Sequence, residues 1–66
     1  MGNTLHKKCR EGNLREVLAL LDRGADINAR NKDQYTPLNV VCRHGKIEVM
    51  MALLDRGADV NARDEL

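Results

Sequence analysis

Apolar residues recur at helical spacing in two stretches of the chain. Leu14, Val17, Leu18 and Leu21 stand at i, i+3, i+4 and i+7, and Ile47, Met50, Met51 and Leu54 repeat that spacing 33 residues later. Each stretch predicts an amphipathic helix with one stripe turned to a core. Gly24 and Gly57 follow the two stripes and predict helix ends, because glycine takes the left-handed conformation that satisfies the last carbonyls of a helix. Gly12 and Gly45 predict the same for a shorter helix upstream of each stripe. Thr36-Pro37 opens the upstream helix of the second half, with threonine as N-cap and proline at the first helical position, where a missing N–H costs nothing. Asn3-Thr4 holds the matching place in the first half, so each half reads helix, turn, helix.

The two halves align without a gap, and fifteen of 33 positions are identical. Ten of these fall in one block, where Leu20 to Arg30 recurs as Leu53 to Arg63 with only Ile27 changed, to Val60. Self-similarity at a fixed period means stacked structural units. Residues 1–33 and 34–66 are therefore two copies of one repeat. The 33-residue period, Thr36-Pro37-Leu38, Gly45, the Leu53-Leu54 pair and Gly57-Ala58-Asp59-Val60-Asn61-Ala62 together resemble the ankyrin repeat over nearly the whole chain. The resemblance implies an all-α solenoid of two helix-turn-helix units joined by a β-hairpin-like loop, Asp26 to Tyr35. It also implies a non-enzymatic module that binds another protein through the hairpin tip and the inner helices. The family's variable contact positions map onto Arg10 and Glu11 in the first copy and onto Lys32, Asp33, Tyr35, Arg43 and His44 further on. Tyr35, the only aromatic residue, is the side chain best suited to anchor a partner.

The sequence departs from the family pattern at several positions. Its Thr-Pro-Leu-His element is split between Leu5-His6 in the first copy and Thr36-Pro37-Leu38-Asn39 in the second, which predicts a weakened polar contact between repeats at Asn39. Gln34 stands where the hairpin tip usually carries glycine, and a positive φ there costs glutamine about 1 kcal/mol. Cys9 and Cys42 occupy a slot that is usually alanine, and both are expected to pack as buried thiols. Leu18 and Met51 take a position that is usually polar and are expected to tuck under their own helices, the alternative being an exposed apolar patch for self-association. Asn28 and Asn61 lie in a context resembling the one modified by asparaginyl hydroxylases. The structural expectation is that each bonds its own backbone and steadies the turn.

The two ends of the chain differ in polarity. Lys7, Lys8 and Glu16 align with Val40, Val41 and Val49, so the face that would receive a preceding repeat is charged, as in a capping repeat. Met50, Met51, Leu53 and Leu54 have no such replacement, which leaves the C-terminal face apolar. Two alternatives follow: a homo-oligomer that assembles through this face, or a piece of a longer array.

Sixty-six residues allow one small domain, and a net charge of +1 from 11 basic and 10 acidic side chains sets up no field for nucleic acid or anionic lipid. The expected partner is thus a protein recognised by shape. Two cysteines are too few for a disulfide scaffold and predict free thiols in an intracellular compartment, cytoplasmic or nuclear. No apolar run approaches the ~20 residues of a membrane span. His6 and Cys9 form one soft-ligand pair and Cys42 and His44 another, but the pairs are not at equivalent positions, so neither a metal nor a cofactor is expected. No paired carboxylates, nucleophile with a base, or glycine-rich phosphate loop nominates a catalytic residue. Met1-Gly2 is a poor myristoylation match because His6 holds the serine or threonine position. Arg63-Asp64-Glu65-Leu66 is similar to an endoplasmic-reticulum retrieval signal but reads as repeat-boundary sequence.

Overall fold

The computed structural model describes residues 4–60; Asn3, Asn61 and the terminal motifs at Met1-Gly2 and Arg63 to Leu66 lie outside them. Four helices follow in order, α1 (Thr4–Glu11), α2 (Leu14–Asp22), α3 (Pro37–Arg43) and α4 (Ile47–Asp55), and among the described residues there is no strand. Helices α1 and α2 pair within the first repeat, α3 and α4 within the second. The repeats stack α1 on α3 and α2 on α4, giving an inner and an outer layer.

Local chemistry sets the helix ends where the sequence places them. Thr36 Oγ1 accepts the Asn39 backbone N–H at 3.2 Å and Asn39 Oδ1 accepts the Thr36 N–H at 2.9 Å, a reciprocal capping box with Pro37 at the start of α3. Asn13 caps α2 by accepting the Glu16 N–H at 3.2 Å. All four predicted stops, Gly12, Gly24, Gly45 and Gly57, have positive φ. Asn39 thus caps the helix of its own repeat, and other residues also tie the repeats together. Arg56 Nη1 donates to Asp22 Oδ1 at 2.7 Å, and the Asp59 N–H donates to Asn28 Oδ1 at 2.9 Å. Asn28 therefore clamps the neighbouring repeat with its side chain, where its own backbone was the expected partner. The turn is steadied instead by Asp26, whose carboxylate accepts the Asn28 N–H.

The core lies between the repeats. It is built from Leu5 and Cys9 of α1, Val17 of α2, Leu38, Val40 and Val41 of α3, and Val49 and Leu53 of α4. Lys7 and Glu16 are exposed where their counterparts Val40 and Val49 are buried, matching the expected polar N-terminal face. The stripe expected to bury α4 is a different matter. Met50 is only half-buried, Ile47, Met51 and Leu54 are exposed, and the buried residues are Val49 and Leu53. Helix α4 packs against both α3 and α2, and Val49 and Leu53 are the residues it contributes to the buried core. Met51, expected to tuck under its helix, is 63% exposed, while Leu18 is half-buried. The cysteines divide in the same way. Cys9 is fully buried under the second repeat, and burial pushes its thiol up to about 12, so it stays protonated. Cys42 is exposed, against expectation, with its thiol 3.7 Å from Met50 Sδ.

Gln34 has the positive φ anticipated from its place at the tip, 71°. The surrounding bonds hold it there. Its N–H reaches Asn31 O at 2.9 Å and its carbonyl accepts from Arg30 Nη1 at 2.8 Å, while Asn31 Oδ1 accepts the N–H groups of Asp33 and Tyr35. Gln34→Gly relieves roughly 1–2 kcal/mol of strain and gives back about half as much in unfolded-chain entropy. The expected net gain of about 0.5–1 kcal/mol should raise the thermal midpoint by several degrees in a helicity melt, and an unchanged or lower midpoint would mean the tip is unstrained.

Candidate functional site

His6 fixes the hairpin to the inner layer. It is buried on α1, and its Nε2 lies 2.9 Å from both Ala29 O and Tyr35 O. Both partners are carbonyl oxygens, so Nε2 is the donor and bridges the two arms of the hairpin. Nδ1 is buried without a partner among the described residues. With Asn31 N–H bonded to Tyr35 O at 2.9 Å, the tip is held beside the N-terminal half of α1.

A cleft of about 420 Å³ opens between that tip and α1, with Thr4, Lys7, Arg10 and Lys32 around it. It continues through the shared residues His6, Arg10, Asn31 and Asp33 into a second lobe of about 180 Å³, closed by Tyr35, Val40, Arg43 and His44. Tyr35 is half-buried and packs against the core. The Arg43 guanidinium sits 4.9 Å from the centre of its ring, a cation–π contact that presents both side chains together. Charge is concentrated here. Lys7, Arg10, Lys32 and Arg43 line the cleft against one carboxylate, Asp33.

Six of the sequence-nominated contact residues therefore share one surface: Arg10, Lys32, Asp33, Tyr35, Arg43 and His44. Glu11 does not join them. It is exposed at the end of α1, with Oε1 3.8 Å from Lys8 Nζ. Sequence reasoning missed Lys7 and Asn31. The signal for Asn31 was available, since an asparagine two residues before Asp33 forms an Asx turn through its side chain.

The C-terminal face forms a second surface. Ile47, Met51, Leu54 and Val60 are 58%, 63%, 41% and 65% exposed. Leu53, assigned to this face by the sequence, is 0% exposed and belongs to the internal core. Among the described residues no group of three or more metal-ligating side chains converges, and no helix is long and apolar enough to cross a membrane.

A family model of ankyrin repeats, three copies long, matches residues 2–64, and the described residues hold two helix pairs. Among solved structures, the crystal structure of an ankyrin repeat domain from Acinetobacter baumannii AYE is similar, with 29% identity and a TM-score of 0.92 over 98% of this chain. The chain spans 33% of that domain. No curated protein matches.

Proposed function

Since the chain belongs to the ankyrin-repeat family, whose members are generally protein-interaction modules, we propose that it binds another protein through the cleft between hairpin tip and inner helices. The observation that carries this reading is the Arg43–Tyr35 stack, flanked by Arg10 and His44. A half-buried aromatic with one face covered by arginine is the composition of an interface hot spot. Its core packing immobilises the ring in advance, which lowers the entropy cost of binding. The ~800 Å² that a standard interface buries on each side is a demanding share of this chain's 4485 Å² surface, so a short segment of the partner suits the cleft better than a globular face.

Selection from a displayed library of random dodecapeptides tests the reading. The expected result is enrichment of a peptide class on the wild-type chain that is lost on a Tyr35→Ala chain of unchanged helicity. Enrichment that survives Tyr35→Ala and Arg10→Ala alike would place binding elsewhere.

Self-association through the C-terminal face is the second reading, supported by the exposure of Met51 and Val60. The charged N-terminal face, with Lys7 and Glu16 exposed, disfavours head-to-tail growth, so the assembly would be a closed two-fold dimer. Light scattering across a dilution series, repeated on Met51→Lys, reads it directly; a concentration-independent monomer mass removes it.

A further inference from the structure

The net charge of +1 hides an excess of cations on the inner layer. Inner helices α1 and α3 carry Lys7, Lys8, Arg10 and Arg43 against Glu11 alone. On the outer layer Glu16, Asp22, Glu48 and Asp55 are balanced by Arg15 and the cap residues Arg23, Lys46 and Arg56. Lys32 adds a further cation on the inner side, at the hairpin tip. Clefts lined by one sign of charge focus the field and raise the local concentration of oppositely charged ligands.

Building on the reading above, we infer that the cleft takes an extended acidic peptide, with carboxylates about three residues apart and one side chain laid on Tyr35. Arg10 and Arg43 occupy equivalent positions of successive repeats and both line the second lobe, so they stand about one repeat, ~10 Å, apart. In an extended chain of polyproline-II type, three residues per turn put the carboxylates at i and i+3 on one face, ~9 Å apart. Arginine matches a carboxylate with two parallel N–H donors, and the guanidinium of Arg43 is already oriented by its ring contact. Asp33 discriminates against nucleic acid. A peptide backbone offers it N–H donors that offset the repulsion of the peptide's own carboxylates, whereas a phosphodiester backbone offers none. One aromatic ring also gives a single stacking platform, where single-strand binders use several.

The test is an NMR titration of the ¹⁵N-labelled chain with three probes: the peptide (Gly-Ser-Glu)₄, its counterpart (Gly-Ser-Gln)₄, and a twelve-nucleotide oligo(dT). The expected result is that the glutamate peptide shifts the Arg10, Lys32, Tyr35 and Arg43 amides at low salt, with affinity at least tenfold above the glutamine peptide. That affinity should fall at least tenfold in Arg10→Gln/Arg43→Gln, whose unchanged helicity is checked in parallel, and should weaken at high salt. Equal affinity for the two peptides would overturn the acidic preference while leaving the peptide-binding cleft in place. Tighter binding of oligo(dT) would overturn it in favour of a polyanion site. If no probe moves these amides at millimolar concentration the inference fails, and the library selection then decides separately whether the cleft binds peptide at all.

Discussion

Leu53→Ala is expected to cost 2–5 kcal/mol, whereas Leu54→Ala, one residue along, is expected to cost less than about 1 kcal/mol. The two leucines are adjacent and chemically identical, yet Leu53 is 0% and Leu54 41% exposed. Leu53 is sealed in the core cluster, so truncating it removes the transfer free energy of its methyl groups and leaves a cavity that the surrounding helices close only in part. A domain of 66 residues has only about 3–10 kcal/mol of stability, so this loss takes a large share of it. In a two-repeat solenoid it also weakens the contact that makes the repeats fold together. Urea denaturation followed by helicity should put the Leu53→Ala midpoint well below both wild type and Leu54→Ala. Equal costs at the two positions would mean that α4 is rotated from the orientation described.

The second large effect is expected at His6. His6→Leu keeps the apolar bulk but withdraws the one donor shared by Ala29 O and Tyr35 O. Tyr35 O keeps the Asn31 N–H, but Ala29 O loses its His6 donor in a half-buried place, at a cost of roughly 1–3 kcal/mol, while a change at the exposed neighbour Lys7 should stay within about 0.5 kcal/mol. The local consequence separates this from general destabilisation. The Asn31 and Gln34 amides, which close the tip, should exchange faster with solvent than the amides of α4. Peptide affinity should also fall although no cation of the cleft has been touched, because Tyr35 and Lys32 lose their fixed position over the inner helices. Uniform acceleration of exchange across the chain would show that His6 supports the fold as a whole rather than the tip.

Much of this architecture is written locally. The period of 33 residues, the Thr36-Pro37 start of α3 and the glycine stops depend on residues a few positions apart, and each lands where the sequence puts it. The strained Gln34 was legible for the same reason, since a tip that calls for glycine imposes its φ on whatever residue is there. The contact residues were legible in part. Tyr35 and Arg43 lie eight residues apart, on loop and helix, and only the stacking of the hairpin on α3 makes them one surface.

By itself, the sequence determined two stacked helix pairs and a charged N-terminal face, because composition and short-range spacing encode these directly. Tertiary structure alone decided which apolar flank of α4 is inside, which of two equivalent cysteines is sealed, and that Asn28 reaches across to Asp59. Equivalent positions in two repeats carry the same local pattern but have different neighbours. Burial is a property of the neighbour: the second repeat covers Cys9, and among the described residues none covers Cys42.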